Sequence, residues 1–173
     1  MTDYIVVPPL FGAVGLICAF IIYSLVKRYP AGGDNIKKIG DATHMGAMVF
    51  MHREYRTLAM FAAVLLVILY FTPGLGPKTA LAFAVGALSS ALAGYIGMFT
   101  ATKANVRTTT AAHEKGASEA LTVAFFGGSI MGLCVASLGL IGLGSLYWYF
   151  GGDPVTAHYI HGFGMGASSV ALF

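Results

Sequence analysis

The chain has 173 residues, of which 57% are hydrophobic and only 10% charged, and its mean hydropathy is +0.78. Soluble domains carry roughly 25% charged residues, so this chain cannot cover a water-facing surface, which excludes an ordinary soluble enzyme. The net charge of +3 does not point to nucleic acid, because the basic residues sit beside apolar runs and form no continuous stripe.

A spanning helix needs about 20 mostly apolar residues. Five candidates follow in chain order, and they predict an all-α polytopic transmembrane bundle of four full spans plus the first part of a fifth, treated as one domain over 1–173. The first, 4–26, carries Pro8 and Pro9 in its opening turns, where a missing N–H costs little. The N-terminus has no basic region, and Lys27 and Arg28 follow the span, which is the wrong polarity for a cleaved signal peptide. This span is expected to stay.

The second, 41–72, is interrupted by His52, Arg53, Glu54 and Arg56. Its first half is expected to stand proud of the bilayer or to lie at its surface. Pro73, Gly74, Gly76 and Pro77 then predict a tight turn. The third, 79–102, and the fourth, 120–150, carry no charge, and a basic polar elbow, TKANVRTTTAAHEK, is expected to separate them. Gly151, Gly152, Asp153 and Pro154 break the fourth, and 155–173 reads as the fifth. It stops without a basic or aromatic anchor, so the chain is expected to be a fragment, a truncated reading frame or one piece of a split protein.

Lys and Arg set the orientation. Lys27, Arg28, Lys37, Lys38, Arg53, Arg56, Lys103, Arg107 and Lys115 fall on one side and only Lys78 on the other. Segments 27–56 and 103–119 are therefore expected to face the cytoplasm. The N-terminus and the turns at 73–78 and 151–154 are expected outside, with Tyr147, Trp148, Tyr149 and Phe150 as an aromatic belt there. Small residues at spacing four allow helices to approach closely in lipid. Ser89, Ala93, Gly97 and Ala101, with Ser90 and Gly94 beside them, form one such stripe. Ala124, Gly128, Gly132 and Ala136 form another, and Gly162 with Gly166 a third. All are expected to pack.

Chemistry is sparse. Cys18 and Cys134 lie in separate apolar runs and suggest neither a disulfide nor a metal site. His52, Arg53, Glu54 and Arg56 could be a functional cluster; the expected role is an interface anchor with Glu54 paired to a neighbouring Arg or Lys. His158 and His161 have a spacing that can bind metal, but two ligands without a third favour interfacial packing. Asn105 and Arg107 could receive a phosphate or a partner loop, and are expected instead to cap the third helix and answer its dipole. No catalytic, cofactor-binding or metal residue is assigned.

Four stretches together resemble one family. GAMVFMHREYRTLAMF (46–61), SALAGYIGM (90–98), ATKANVRTTTAA (101–112) and GFGMGASSVALF (162–173) are similar to the membrane-integral pyrophosphatases, which couple pyrophosphate hydrolysis to H+ or Na+ pumping. The resemblance implies scaffold helices of a larger subunit that works as a homodimer in membrane lipid. Pyrophosphate would be its substrate, Mg2+ a cofactor and K+ or Na+ a further ion. It also implies that the hydrolytic motifs lie outside these residues, so that the isolated chain is inactive. Two other classes remain open: a self-standing membrane helix module for partner assembly, and a proteolipid-like rotor subunit. The rotor needs a carboxylate near mid-span, for which Glu54 is the nearest candidate.

Overall fold

The computed structural model of the chain describes residues 5–150 and 156–171. Helix α1 runs Val7–Arg28, α2 Asp34–Phe71, α3 Gly76–Lys115 and α4 Ala117–Tyr149; a 3-10 turn, Ala157–Ile160, leads into α5, His161–Ala171. The described residues contain no strand. Helices α1 to α4 are long and apolar enough to cross a membrane. The protein is thus an all-α, multi-pass integral membrane protein. The predicted break at Gly151, Gly152, Asp153 and Pro154, the first residue of the predicted first span and both ends of the predicted fifth lie outside the described residues.

Prolines and glycines place the helix ends. Pro8 and Pro9 open α1, and Lys27 and Arg28 answer the dipole in its last turn. Thr72 precedes Pro73 and is extended at φ −73° and ψ 122°, which stops α2. Pro77 sits in the first turn of α3. Gly116, with φ +88°, ends α3 in the left-handed region and is the whole connection to α4.

The predicted elbow is therefore helix. Residues 103–115 contain no Gly or Pro, and the α3 helix runs through them to Lys115 rather than ending at Thr102. Thr108, Thr109 and Thr110 donate their hydroxyls to the carbonyls of Ala104, Asn105 and Val106 at 3.0 to 3.1 Å, which satisfies these polar side chains within the helix. Asn105 and Arg107 lie inside α3 and cap nothing. Helix α2 has 38 residues and α3 has 40, about 57 and 60 Å at about 1.5 Å per residue, against a hydrocarbon core of about 30 Å. Both reach well past the bilayer.

Helix α3 is central. Helices α2, α4 and α5 pack against it, and α1 packs on α4. One cluster joins Ala19 and Val26 of α1 to Ala104 of α3 and Ile130 and Cys134 of α4. Helix α5 lies backbone to backbone on α3: a side chain at Gly86 would meet the Phe163 carbonyl, and one at Gly166 would meet the Phe83 carbonyl and, at 2.9 Å, the Ala87 nitrogen. The small-residue expectation holds for Ala93, Gly97, Gly162 and Gly166, all buried. It fails for Ala101, which is exposed, and for Ala124, Gly128, Gly132 and Ala136, which face away from the bundle. Helix α4 buries Gly127, Ile130, Cys134, Ser137, Gly142 and Gly144 instead. It is small-residue-rich on both faces, so spacing alone does not pick the packed one.

Candidate functional site

The long helices α2 and α3 run antiparallel, and four contacts fix their register. Gly40 abuts Val106. The His44 Nδ1 lies 2.7 Å from Thr102 Oγ1, with its ring edge-on to Phe99 at 5.2 Å. Lys103 Nζ is 3.8 Å from Asp41 Oδ1. The Tyr55 hydroxyl donates to the Ala91 carbonyl. This register sets His52, Arg53, Glu54 and Arg56 opposite the middle of the uncharged run 79–102.

Within that cluster His52, Arg53 and Arg56 are exposed, whereas Glu54 is half-buried. The expected pairing of Glu54 does not form: the two ion pairs among the described residues are Lys103 with Asp41, and Lys115 with Glu119 at 4.0 Å. Glu54 instead lines a cleft of about 670 Å3 between α2, α3, α4 and α5. The walls are Met51 and Leu58 of α2, Gly94 and Met98 of α3, Met131 and Val135 of α4, and Phe163 and Val170 of α5. Glu54 is the one charged residue among the lining residues. Such a space can hold an apolar body that offers a single positive charge, and no Lys, Arg or His lines it to hold phosphate.

The other candidates do not converge. Among the described residues no three of His, Cys, Asp and Glu come together. Asp34 sits in the first turn of α2 and Glu114 is exposed near the end of α3. His158 lies in the 3-10 turn with its ring 4.0 Å from that of Tyr159, and His161 starts α5; both are exposed. Lys78 stands over the Tyr159 ring at 5.1 Å, so this end is an aromatic packing corner. Cys18 and Cys134 are free thiols. Arg107 Nη1 donates to the Lys103 carbonyl at 2.7 Å, while its Nε is buried without a partner among the described residues.

At the opposite end the α1–α2 connection is fastened to the α3–α4 junction. Gly32, at φ +77°, lets the chain turn against Thr110. Tyr29 packs against Ala111, Ala120 and Val123, and Lys115 Nζ lies 6.0 Å above its ring. Burial first, and then the charge of Glu119, push the Tyr29 phenol above its usual range, so it stays neutral. Sequence reasoning missed His44, Thr102 and Tyr55, which set the register. The one available signal was that 103–115 lacks a helix breaker.

The family described as "Inorganic H+ pyrophosphatase" matches residues 13–173. A putative K+-stimulated pyrophosphate-energized sodium pump of Clostridium tetani is 44% identical over 174 residues, covering 100% of this chain and 25% of the relative. A K+-insensitive pyrophosphate-energized proton pump of Methanosarcina mazei is 40% identical over 173 residues, again covering 100% and 25%. A K+-stimulated pyrophosphate-energized sodium pump of Thermotoga maritima is 40% identical over 131 residues, 75% of this chain and 18% of the relative. The chain thus spans about a quarter of the length of the first two relatives.

Proposed function

Because this chain belongs to the inorganic H+ pyrophosphatase family, we propose that its helices are scaffold of a pump that spends cytoplasmic pyrophosphate to move H+ or Na+. One observation carries the reading: similarity runs through the whole chain, at 44% to a sodium pump and 40% to a proton pump, while covering 25% of each. In the complete pump pyrophosphate is the substrate and Mg2+ the cofactor, K+ or Na+ is a further ion, and two subunits form a homodimer. The acids among the described residues do not fit a Mg2+ site. Asp41 and Glu119 face lysines, and no three potential ligands gather among the described residues. Hydrolysis is thus assigned to groups outside this chain. Its own part is to hold the remaining helices in place.

Co-expression with the remaining length of the Clostridium tetani relative tests the reading. Mg2+-dependent pyrophosphate hydrolysis in the membranes is expected from the pair and from neither part alone. No hydrolysis from an assembled pair would contradict it.

The orientation we propose puts the end bearing Lys27, Arg28, Lys37, Lys38 and Lys115 in the cytoplasm. In a Cys18→Ser/Cys134→Ala background, Asn35→Cys and Glu114→Cys should react with an impermeant maleimide only when the cytoplasmic face is open. Gly74→Cys should react from outside. All three positions are exposed, so access depends on sidedness alone. The reverse pattern would overturn the orientation.

A further inference from the structure

We propose that α3 carries a hinge at its Ala91–Tyr95 rung, where the Tyr55 hydroxyl of α2 takes over both main-chain partners when the rung opens.

In an α-helix each carbonyl accepts from the N–H four residues on. Ala91 and Tyr95 are such a pair, well inside the helix that runs Gly76–Lys115. The Tyr55 hydroxyl donates to the Ala91 carbonyl, and the Tyr95 main-chain N–H is a donor to the same phenolic oxygen. A hydroxyl both donates and accepts, so this one group matches both ends of one rung. Opening an ordinary rung in hydrocarbon leaves a bare carbonyl and a bare N–H, which is costly. Opening this one exchanges a main-chain bond for two bonds to Tyr55. A side chain inserted into the ladder is one of the few causes of a sharp helix kink.

The sequence clears the way for the hydroxyl. A Cβ at Gly94 would lie 3.0 Å from it, so a larger residue there would press it off the main chain. Gly94 and Gly97 also weaken the helix around the rung.

The packing gives the hinge two arms. Helix α5 docks on one side of the rung, with Gly162 against Thr79 and Gly166 against Phe83 and Ala87. The start of α2 is fastened on the other side, by Asp41 to Lys103 and by His44 to Thr102. The Tyr55 bond falls between them, on the rung itself. Helix α4 passes both arms, and beside the rung it meets Gly97 with the Met131 side chain, which is flexible.

Proline at position 95 tests the hinge, because it removes the Tyr95 N–H and pushes the Ala91 carbonyl off the ladder. The full chain in detergent is compared by apparent melting temperature as Tyr95→Pro and Tyr95→Ala, first with Tyr55 and then with Tyr55→Phe. Beside Tyr55 the proline variant is expected to fold, since the hydroxyl answers the freed carbonyl. With Tyr55→Phe the drop from alanine to proline is expected to grow by about 3 °C or more. Gly94 eases a proline at 95 in both backgrounds alike, so the growth reports the hydroxyl. Leu92→Pro frees the Leu88 carbonyl instead, and its cost should be the same in both backgrounds. Leu92 and Tyr95 are both exposed, so neither proline ring enters the core. A drop at 95 indifferent to Tyr55→Phe would overturn the hinge. So would failure of Tyr95→Pro to fold beside Tyr55, or an equal growth at Leu92.

Discussion

Gly166→Leu is expected to free α5 from α3 and to lower the apparent melting temperature in detergent more than Gly97→Leu or Gly132→Leu does. At this position the obstacles are the Phe83 carbonyl and the Ala87 nitrogen, both main chain of a helix, and neither can rotate away. Forcing atoms into packed space costs about 1 to 3 kcal/mol, and rigid obstacles put this case at the upper end. Gly97→Leu meets only the Met131 side chain, with Cγ and Sδ at 2.8 Å, and a methionine can swing aside, so a smaller loss is expected. Gly132→Leu meets nothing within 4 Å and should melt like the parent. Equal losses at Gly132 and Gly166 would show that the packed face of α4 is assigned wrongly.

Purified alone, the chain is expected to hydrolyse no pyrophosphate and to gain no Mg2+-dependent thermal stabilisation from it. Phosphoryl hydrolysis of this kind needs several carboxylates around the metal and basic groups on the phosphates. Asp34, Asp41, Glu54, Glu114 and Glu119 are spread over three helices, and two of them face lysines. Turnover above a mock preparation would reveal an overlooked site, and His52 to Arg56 would be the place to look first.

The membrane class and the order of the spans were legible because hydropathy and Pro/Gly punctuation are local. Pro8, Pro73 and Pro77 mark helix ends wherever they fall. The end of α3 was not legible, since TKANVRTTTAAHEK is polar enough to read as a loop. Its threonines bond back to their own helix, and only Gly116 turns the chain. The packed face of α4 was hidden for another reason: Gly127 and Gly128 are neighbours, yet one is buried and the other open. The place of Glu54 was least legible. Its depth depends on how α2 slides along α3, and that is set by distant pairs such as His44 with Thr102. No window of sequence contains both.

The central claim is that these helices belong to an ion pump driven by pyrophosphate. Inverted membrane vesicles holding this chain together with the remaining length of the Clostridium tetani relative test it most directly. Added Mg2+ and pyrophosphate are expected to acidify the lumen or load it with Na+, and vesicles with either part alone should do neither. Stable assembly of the two parts with neither ion moving would contradict the account.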